Sequence, residues 1–344
     1  MIQIFRDNKK SEWDNVVKQF EKYDVYYLHG YVKGFKIHGD GEPLLVYYES
    51  KELKAIFVGI KRNTDIEGCY DCITPYGYGG VLFEGNTSDD NLKHFWFEFK
   101  EKMLAEGIVD NFVRYHPILE NVEEMKKLSS VTPLGKTIAF DLTSKDIIWQ
   151  NITSKNRNMI RKAEKNGVEI MHGKGRELLK KFKEIYNSTM EKDNAERYYF
   201  FEDEFYQSID QDLHDNYEIF YAVLDTKIIA MSIMIFANDQ MHYHLSGSVM
   251  EYRNLAPSNL LLYKAALWGC ENGFKTFHLG GGVGSQEDNL YIFKAAFNRN
   301  SDYHFYIGKE IFDQEKYYEL VELRAEKDLN FNRDSIFFPL YRTP

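Results

Sequence analysis

Two stretches of this chain follow one plan, and that repeat narrows the possible folds more than any other feature. The first is "LLVYYESKELKAIFVGIKRN" followed by "CYDCITPYGYGG". The second is "YEIFYAVLDTKIIAMSIMIFAND" followed by "QMHYHLSGSV". In each, β-branched and aromatic residues flank a short polar turn ("ESKE", "LDTK"), which is the signature of a hairpin. A third strand ending in aromatics and glycine comes next, and then a helical segment, near 90–105 and 258–272. Ser258 stands where an N-cap is expected and Gly273 where a C′ glycine is expected. The pattern predicts a duplicated α/β unit, with mixed sheets and helices across them.

A chain of 344 residues has room for two such units. Aromatics make up 16% of it, enough for two large cores, and the formal net charge is -10. That charge argues against a DNA-coating protein. The opening "MIQIFRDNKK" is too polar for a secretory signal, and the apolar run "AMSIMIFA" is too short to span a bilayer. The expectation is a cytoplasmic protein without a membrane span. Cys69 and Cys72 form one CxxC pair with no second pair to complete a structural zinc site, so no metal is expected. The domain boundary is expected near 145, giving an N-terminal domain 1–145 and a C-terminal domain 146–309. "TSKDIIWQNITSKNRNMIRKAEKNG" opens the second half as helices closed by Gly167. The tail 310–344 begins as a helix and ends in apolar "SIFFPLY", which is expected to dock on the first domain.

The stretch "FHLGGGVGSQEDNLYIFKAAF" holds the most chemistry. A strand, a glycine-rich loop and a helix in that order is the general form of a phosphate cradle. The loop lacks the GK[ST] ending of a P-loop and the last glycine of GxGxxG, so Gly280, Gly281 and Gly282 read as a place of close backbone approach. On the helix, Leu290, Phe293, Lys294 and Phe297 share one face. An ammonium on an apolar stripe snorkels to water, pairs with an acid, or faces a cavity where negative charge develops. "NRNMIRKAEK" sets Arg157, Arg161 and Lys165 one turn apart, within a segment, 155–183, holding ten basic residues and three acidic ones. Such an excess either attracts phosphate or forms a solvated face. Tyr76 and Tyr78 in "TPYGYGG", Arg114 and His116 in "VRYHPIL", and Arg197 with Tyr198 in "AERYYF" are further candidates for ligand contact.

In this order, "YDVYYLHGYV", "DCITPYGYGG", "VRYHPIL", "MHYHLSGSVMEYRNLAPSN" and "FHLGGGVGSQEDNLYIFKAAFN" resemble the Fem-type family of peptidoglycan-bridge aminoacyl transferases and their tandem GNAT relatives. The resemblance runs over roughly residues 20–300. It implies an α/β fold of two GNAT-like domains packed together, and acyl transfer to an amine. It also implies an aminoacyl-tRNA or acyl-CoA donor with no tightly bound cofactor. The implied acceptor is a small molecule or nucleotide-linked sugar, a cell-wall or surface-glycan precursor, with peripheral contact to a lipid-linked form and with tRNA as a partner. The family's transition-state lysine falls on Lys294 and a nearby tyrosine on Tyr243. Its acceptor-binding positions fall on Arg197 and Tyr198, and Tyr252 and Tyr291 are further candidates for substrate contact. Where GNAT proteins carry a glycine-rich pyrophosphate loop, this chain reads "RNLAPSN": Arg253 is kept, Ala256 and Ser258 replace small loop residues, and Pro257 removes one N–H. An acyl-CoA-dependent N-acetyltransferase of amino sugars and a non-catalytic scaffold of the same fold remain as alternatives.

Overall fold

The computed structural model describes all 344 residues, and they form two compact units. The first comprises Met1–Leu134 and Phe305–Pro344, the second Gly135–His304. In chain order the first unit holds β1 (Ile2–Arg6), α1 (Lys10–Val17), α2 (His29–His38), β2 (Glu42–Glu49), β3 (Leu53–Asn63), β4 (Tyr70–Ile73), β5 (Val81–Gly85), α3 (Asp89–Ala105), β6 (Ile108–Arg114) and α4 (Val122–Met125). Then follow β7 (Val131–Asp141), α5 (Lys145–Asn151), α6 (Ser154–Lys165), β8 (Glu169–Gly173), α7 (Arg176–Lys192), α8 (Asp203–Asp212), β9 (Tyr217–Leu224), β10 (Lys227–Ala237), β11 (Gln240–Ser248), α9 (Pro257–Glu271), β12 (Thr276–Gly280) and α10 (Asn289–Ala295). Strand β13 (Tyr303–Ile311) and α11 (Gln314–Lys327) return the chain to the first unit.

Both units are mixed sheets, and each has the same antiparallel-then-parallel order. In the first, β1, β2, β3 and β4 pair antiparallel in turn, β4 runs parallel to β6, and β13 pairs antiparallel with β6. In the second, β8, β9, β10 and β11 pair antiparallel, β12 runs parallel to β11, and β7 closes the other side. The parallel pairs β4/β6 and β11/β12 each need a crossover, and α3 and α9 supply it. This is the duplicated plan expected from the two hairpin stretches.

The cores follow the alternation of each strand. Phe57, Phe95, Phe99 and Val113 lead the first. Phe140, Met241, Leu261, Ala265, Phe277 and Phe297 lead the second. Helix α9 starts one residue earlier than the sequence suggested. Ala256 is the N-cap, in the left-handed region at φ 57°, and Pro257 takes the first helical position, so Ser258 is not the cap. Gly273 does close the helix, at φ 82°.

The tail docks within the first unit, on one acidic pair. Asp71 of β4 and Asp110 of β6 are both fully buried. Tyr341 donates to Asp110 at 2.6 Å, and Arg62 grips Asp71 through two bonds of 2.7 and 2.9 Å. Arg342 adds a further bond to Asp71 and one to the Asn63 carbonyl. Only part of "SIFFPLY" is covered: Phe338 stacks on Tyr317, while Ile336 is 91% exposed.

Candidate active site

Two parallel strands part in the second unit. The register of β11 with β12 runs from Gln240 against Thr276 to His242 against His278 and stops there, although β11 continues to Ser248 and β12 to Gly280. A bulge on β11, where its pairing with β10 shifts between Ile233 and Met234, turns the strand at the same level. Ligands of α/β sheets bind outside the carboxyl ends of such strands. Lys294 of α10 stands there. Its side chain is buried, with 8% of the residue exposed, and Nζ donates at 2.6 Å to the carbonyl of Gly281, immediately beyond β12. Burial pushes the ammonium's pKa down from 10.5 to about 8, against the pull of Asp288. Phe293 and Phe297 pack beside it as expected, but Leu290 is 39% exposed, so the apolar stripe is narrower than the spacing suggested.

The glycine loop has structural reasons of its own. Gly280 has φ 77°. A Cβ on Gly281 would lie 2.9 Å from the Lys136 carbonyl of β7, and one on Gly282 would collide with the Gln286 carbonyl and Asp288 Oδ1. At Gly281 and Gly282 the chain itself thus approaches the backbone closely. Asp288 ties loop to helix. As N-cap of α10 it accepts from Tyr291 N–H at 2.9 Å, and it accepts from Val283 N–H at 3.2 Å. Tyr291 packs at the edge of the core. An Asp288→Asn chain keeps an amide oxygen for the cap but loses the charge. The expected outcome is a Lys294 titration midpoint below that of the native chain with little change in stability, read by NMR of labelled lysine. Asp288→Ala loses the cap as well and costs about 1 kcal/mol.

Tyr243 lies on β11 just before the bulge and packs against the same core. Burial raises its phenol pKa, while hydrogen bonds with Ser246 and Ser232 oppose that rise. Three histidines that sequence reasoning passed over gather where the strands part. His242 and His278 face each other in register, ring centroids 5.7 Å apart, and His244 follows on β11. Burial, with His242 adding to it, holds His244 down at about 3, so its imidazole is neutral at any physiological pH. The repeated spacing in "HYH" was the available signal, but only the pairing with β12 gives it meaning.

The remaining candidates are spread over the fold. Arg157 and Arg161 lie on the outer face of α6, with guanidinium carbons 5.9 and 5.2 Å from the Trp149 ring. Arg197 and Tyr198 occupy an exposed turn, Arg197–Tyr199, between α7 and α8. Tyr252 sits in the turn before α9, against the core. Tyr76, Tyr78, Arg114 and His116 belong to the first unit. Tyr78 packs edge-on with Tyr26 and Tyr76 stacks on Phe35. Burial holds the Tyr78 phenol well above its usual range. Arg114 lies 5.0 Å over Phe112. His116 is 1% exposed. Its Nε2 meets Asp24 at 2.8 Å and its Nδ1 takes the N–H groups of Ile118 and Leu119 at 3.2 Å. Both ring nitrogens are thus engaged by these groups of the first unit.

Residues 153–289 match the family model described as the acetyltransferase (GNAT) domain. That segment carries the parting strands and the loop before Lys294. By that match the segment is similar to a GNAT acetyltransferase domain. The whole chain shares its fold with FemX, at a TM-score of 0.68 and 15% identity over 94% of this chain and 100% of that one. A conserved protein of unknown function from Bacteroides thetaiotaomicron VPI-5482 follows at 0.58, with 10% identity over 90% and 99%. The C-terminal domain of a protein assigned as a lysylphosphatidylglycerol synthetase from Agrobacterium fabrum gives 0.56, with 12% identity over 93% and 96%. No curated protein matches in sequence. The fold is thus the Fem-like tandem GNAT fold. The turn before α9 departs from a glycine-rich loop in its backbone donors. Pro257 has no N–H, and those of Ala256 and Asn259 bond to the carbonyls of Arg253 and Ala256 at 3.0 and 3.2 Å. No helix in the chain is long and apolar enough to cross a membrane.

Proposed function

We propose that this acyltransferase moves an aminoacyl group from an activated ester, carried on tRNA, to an amine of a cell-wall or surface-glycan precursor. The observation that carries the proposal is the buried ammonium of Lys294 at the carboxyl end of β12, where β11 and β12 part. A neutral acceptor amine attacks the ester carbonyl and a C–N bond forms. The tetrahedral intermediate carries its negative charge on the former carbonyl oxygen. Lys294 has three N–H donors and uses one on Gly281, so two remain for that oxygen. On collapse the ester C–O bond breaks, and the proton released by the amine ends on the departing ribose hydroxyl. Tyr243 lines the same end of β11 and orients the carbonyl. The loop before α9 supports an ester donor over acyl-CoA, since Pro257 has no N–H and those of Ala256 and Asn259 are already bonded to carbonyls of the same turn. A second reading, acyl-CoA-dependent acylation of an amino sugar, rests on the GNAT acetyltransferase match.

The experiment is a transfer assay with aminoacyl-tRNA and a nucleotide-linked peptidoglycan precursor, run from about pH 6 to 10 and corrected for ester hydrolysis. The rate should climb as the amine loses its proton and fall above about pH 8 as Lys294 loses its own. A rate still climbing well past pH 9 means that Lys294 is not the charge that matters. Transfer from acyl-CoA and none from aminoacyl-tRNA moves the conclusion to the second reading.

A further inference from the structure

The outer face of α6 holds charges that the rest of this acidic chain does not explain. Between Ser154 and Lys165 five residues are basic and one, Glu164, is acidic, and Glu164 pairs with Lys264 of α9 at 3.0 Å. Arg157 and Arg161 both lean on the indole of Trp149, at 5.9 and 5.2 Å. Their hydrogen bonds go to neutral groups. Arg157 donates to the Trp149 carbonyl and to Ser154 Oγ, each at 3.2 Å, and Arg161 to Asn158 Oδ1 at 3.3 Å. Arg299, reaching back to the same helix junction, donates to the Gln150 carbonyl at 2.9 Å. None of the three meets a carboxylate. Elsewhere on this unit surface cations do pair with acids, as exposed Lys181 with Glu184 and half-buried Lys183 with Asp203.

A guanidinium resting on an indole is partly desolvated and already ordered, so it loses less freedom when an anion binds. Arg157, Arg161 and Lys165 repeat every four residues, which sets them about 6 Å apart along the helix. That is a ladder of charge suited to successive phosphates rather than to one. The ladder also begins at the reactive end of the domain. Thr153, the N-cap of α6, donates its N–H to the Ala296 carbonyl at 3.0 Å, two residues beyond Lys294.

We propose that the Arg157–Trp149–Arg161 face of α6 binds the phosphodiester backbone of the RNA that carries the acyl group. The inference rests on the aminoacyl-ester reading of the site, which it extends from the reacting carbonyl to the donor's backbone. Trp149 holds the arginines in place and does not itself read a base.

The test measures binding alone, by fluorescence anisotropy of a labelled, non-acylated single-stranded oligoribonucleotide at salt concentrations from about 50 to 200 mM. The log of affinity should fall linearly with the log of salt. In Arg157→Gln/Arg161→Gln the slope should become shallower by roughly 1.4, at about 0.7 for each phosphate that is no longer neutralised. Both side chains lie at the surface, and circular dichroism checks that the fold is kept. Lys180→Gln/Lys181→Gln removes the same charge from α7 and should leave slope and affinity nearly as they are. The proposal is overturned if the α7 variant loses as much as the α6 variant, or if the native chain does not bind the RNA. Coenzyme A competing fully with the RNA at equal concentration also overturns it, since the face would then serve a nucleotide. Turnover is judged separately. Absent RNA binding with Lys294-dependent transfer intact sinks only this inference, and RNA binding with Lys294-independent transfer sinks only the catalytic reading.

Discussion

Replacing Lys294 with methionine should leave a folded chain whose acyl transfer is slower by about 10²–10³-fold at neutral pH. The two side chains are close in length and both fit an apolar wall, so the loss is one of charge and donors rather than of shape. The same substitution changes stability in a way a solvated lysine would not. Burial lowers the folded-state pKa from 10.5 to about 8. Below about pH 8 the group is charged in both folded and unfolded chains, and folding carries the whole cost of burying the charge. Between about 8 and 10.5 the folded chain has released the proton and the unfolded chain still holds it, so this group makes stability rise with pH. At about 1.4 kcal/mol per unit the cost at neutral pH is on the order of 3 kcal/mol. Methionine removes it but leaves the Gly281 carbonyl without its donor, a loss of about 1–3 kcal/mol. Urea denaturation at pH 7 should therefore find Lys294→Met no less stable than the native chain. Between pH 7 and about 10 only the native chain should gain stability from this group. A variant that is markedly less stable, or one that transfers at the native rate, would show that the lysine is a packing element.

The other large effect lies at the tail. Asp71→Ala should destabilise the first unit by about 3–5 kcal/mol, because it leaves two guanidinium groups facing a buried space that no longer holds an anion. Arg62 and Arg342 converge on this one fully buried carboxylate. Tyr341 rests on Asp110, whose carboxyl burial pushes up to about 7. Without Asp71 the segment after Pro339 loses its strongest tie. Trypsin should then cut at Arg342 faster than in the native chain, and the melting temperature should fall. Native-like protection together with native-like melting would place the anchor in the apolar contacts of Tyr317 and Phe338 instead.

Much of this was legible in the residues. The doubled hairpin-and-helix pattern foretold two mixed sheets, because strand alternation and helical spacing are local properties of the chain. Lys294 could be singled out for the same reason, since a charge among apolar residues at helical spacing is visible without a third dimension. The limits were equally physical. Leu290 has the right spacing to be inward but lies at the open end of a helix of seven residues, where it is only partly covered. The glycines at 281 and 282 looked open to a ligand, and their neighbours, Lys136 and Gln286, come from β7 and from a turn that only folding brings close. His116 carried no sign in the sequence of its partner Asp24, which is remote along the chain. Arg157 and Arg161 read equally as a solvated face until folding sets Trp149 beneath them.

What the sequence determined by itself was the set of elements, their order and the one misplaced charge, all consequences of short-range pattern. What the tertiary structure alone decided was where β11 and β12 cease to pair, which carbonyl Lys294 reaches, and which cations are left without acids. Those depend on residues far apart in the chain meeting at one place, and no local periodicity encodes such a meeting.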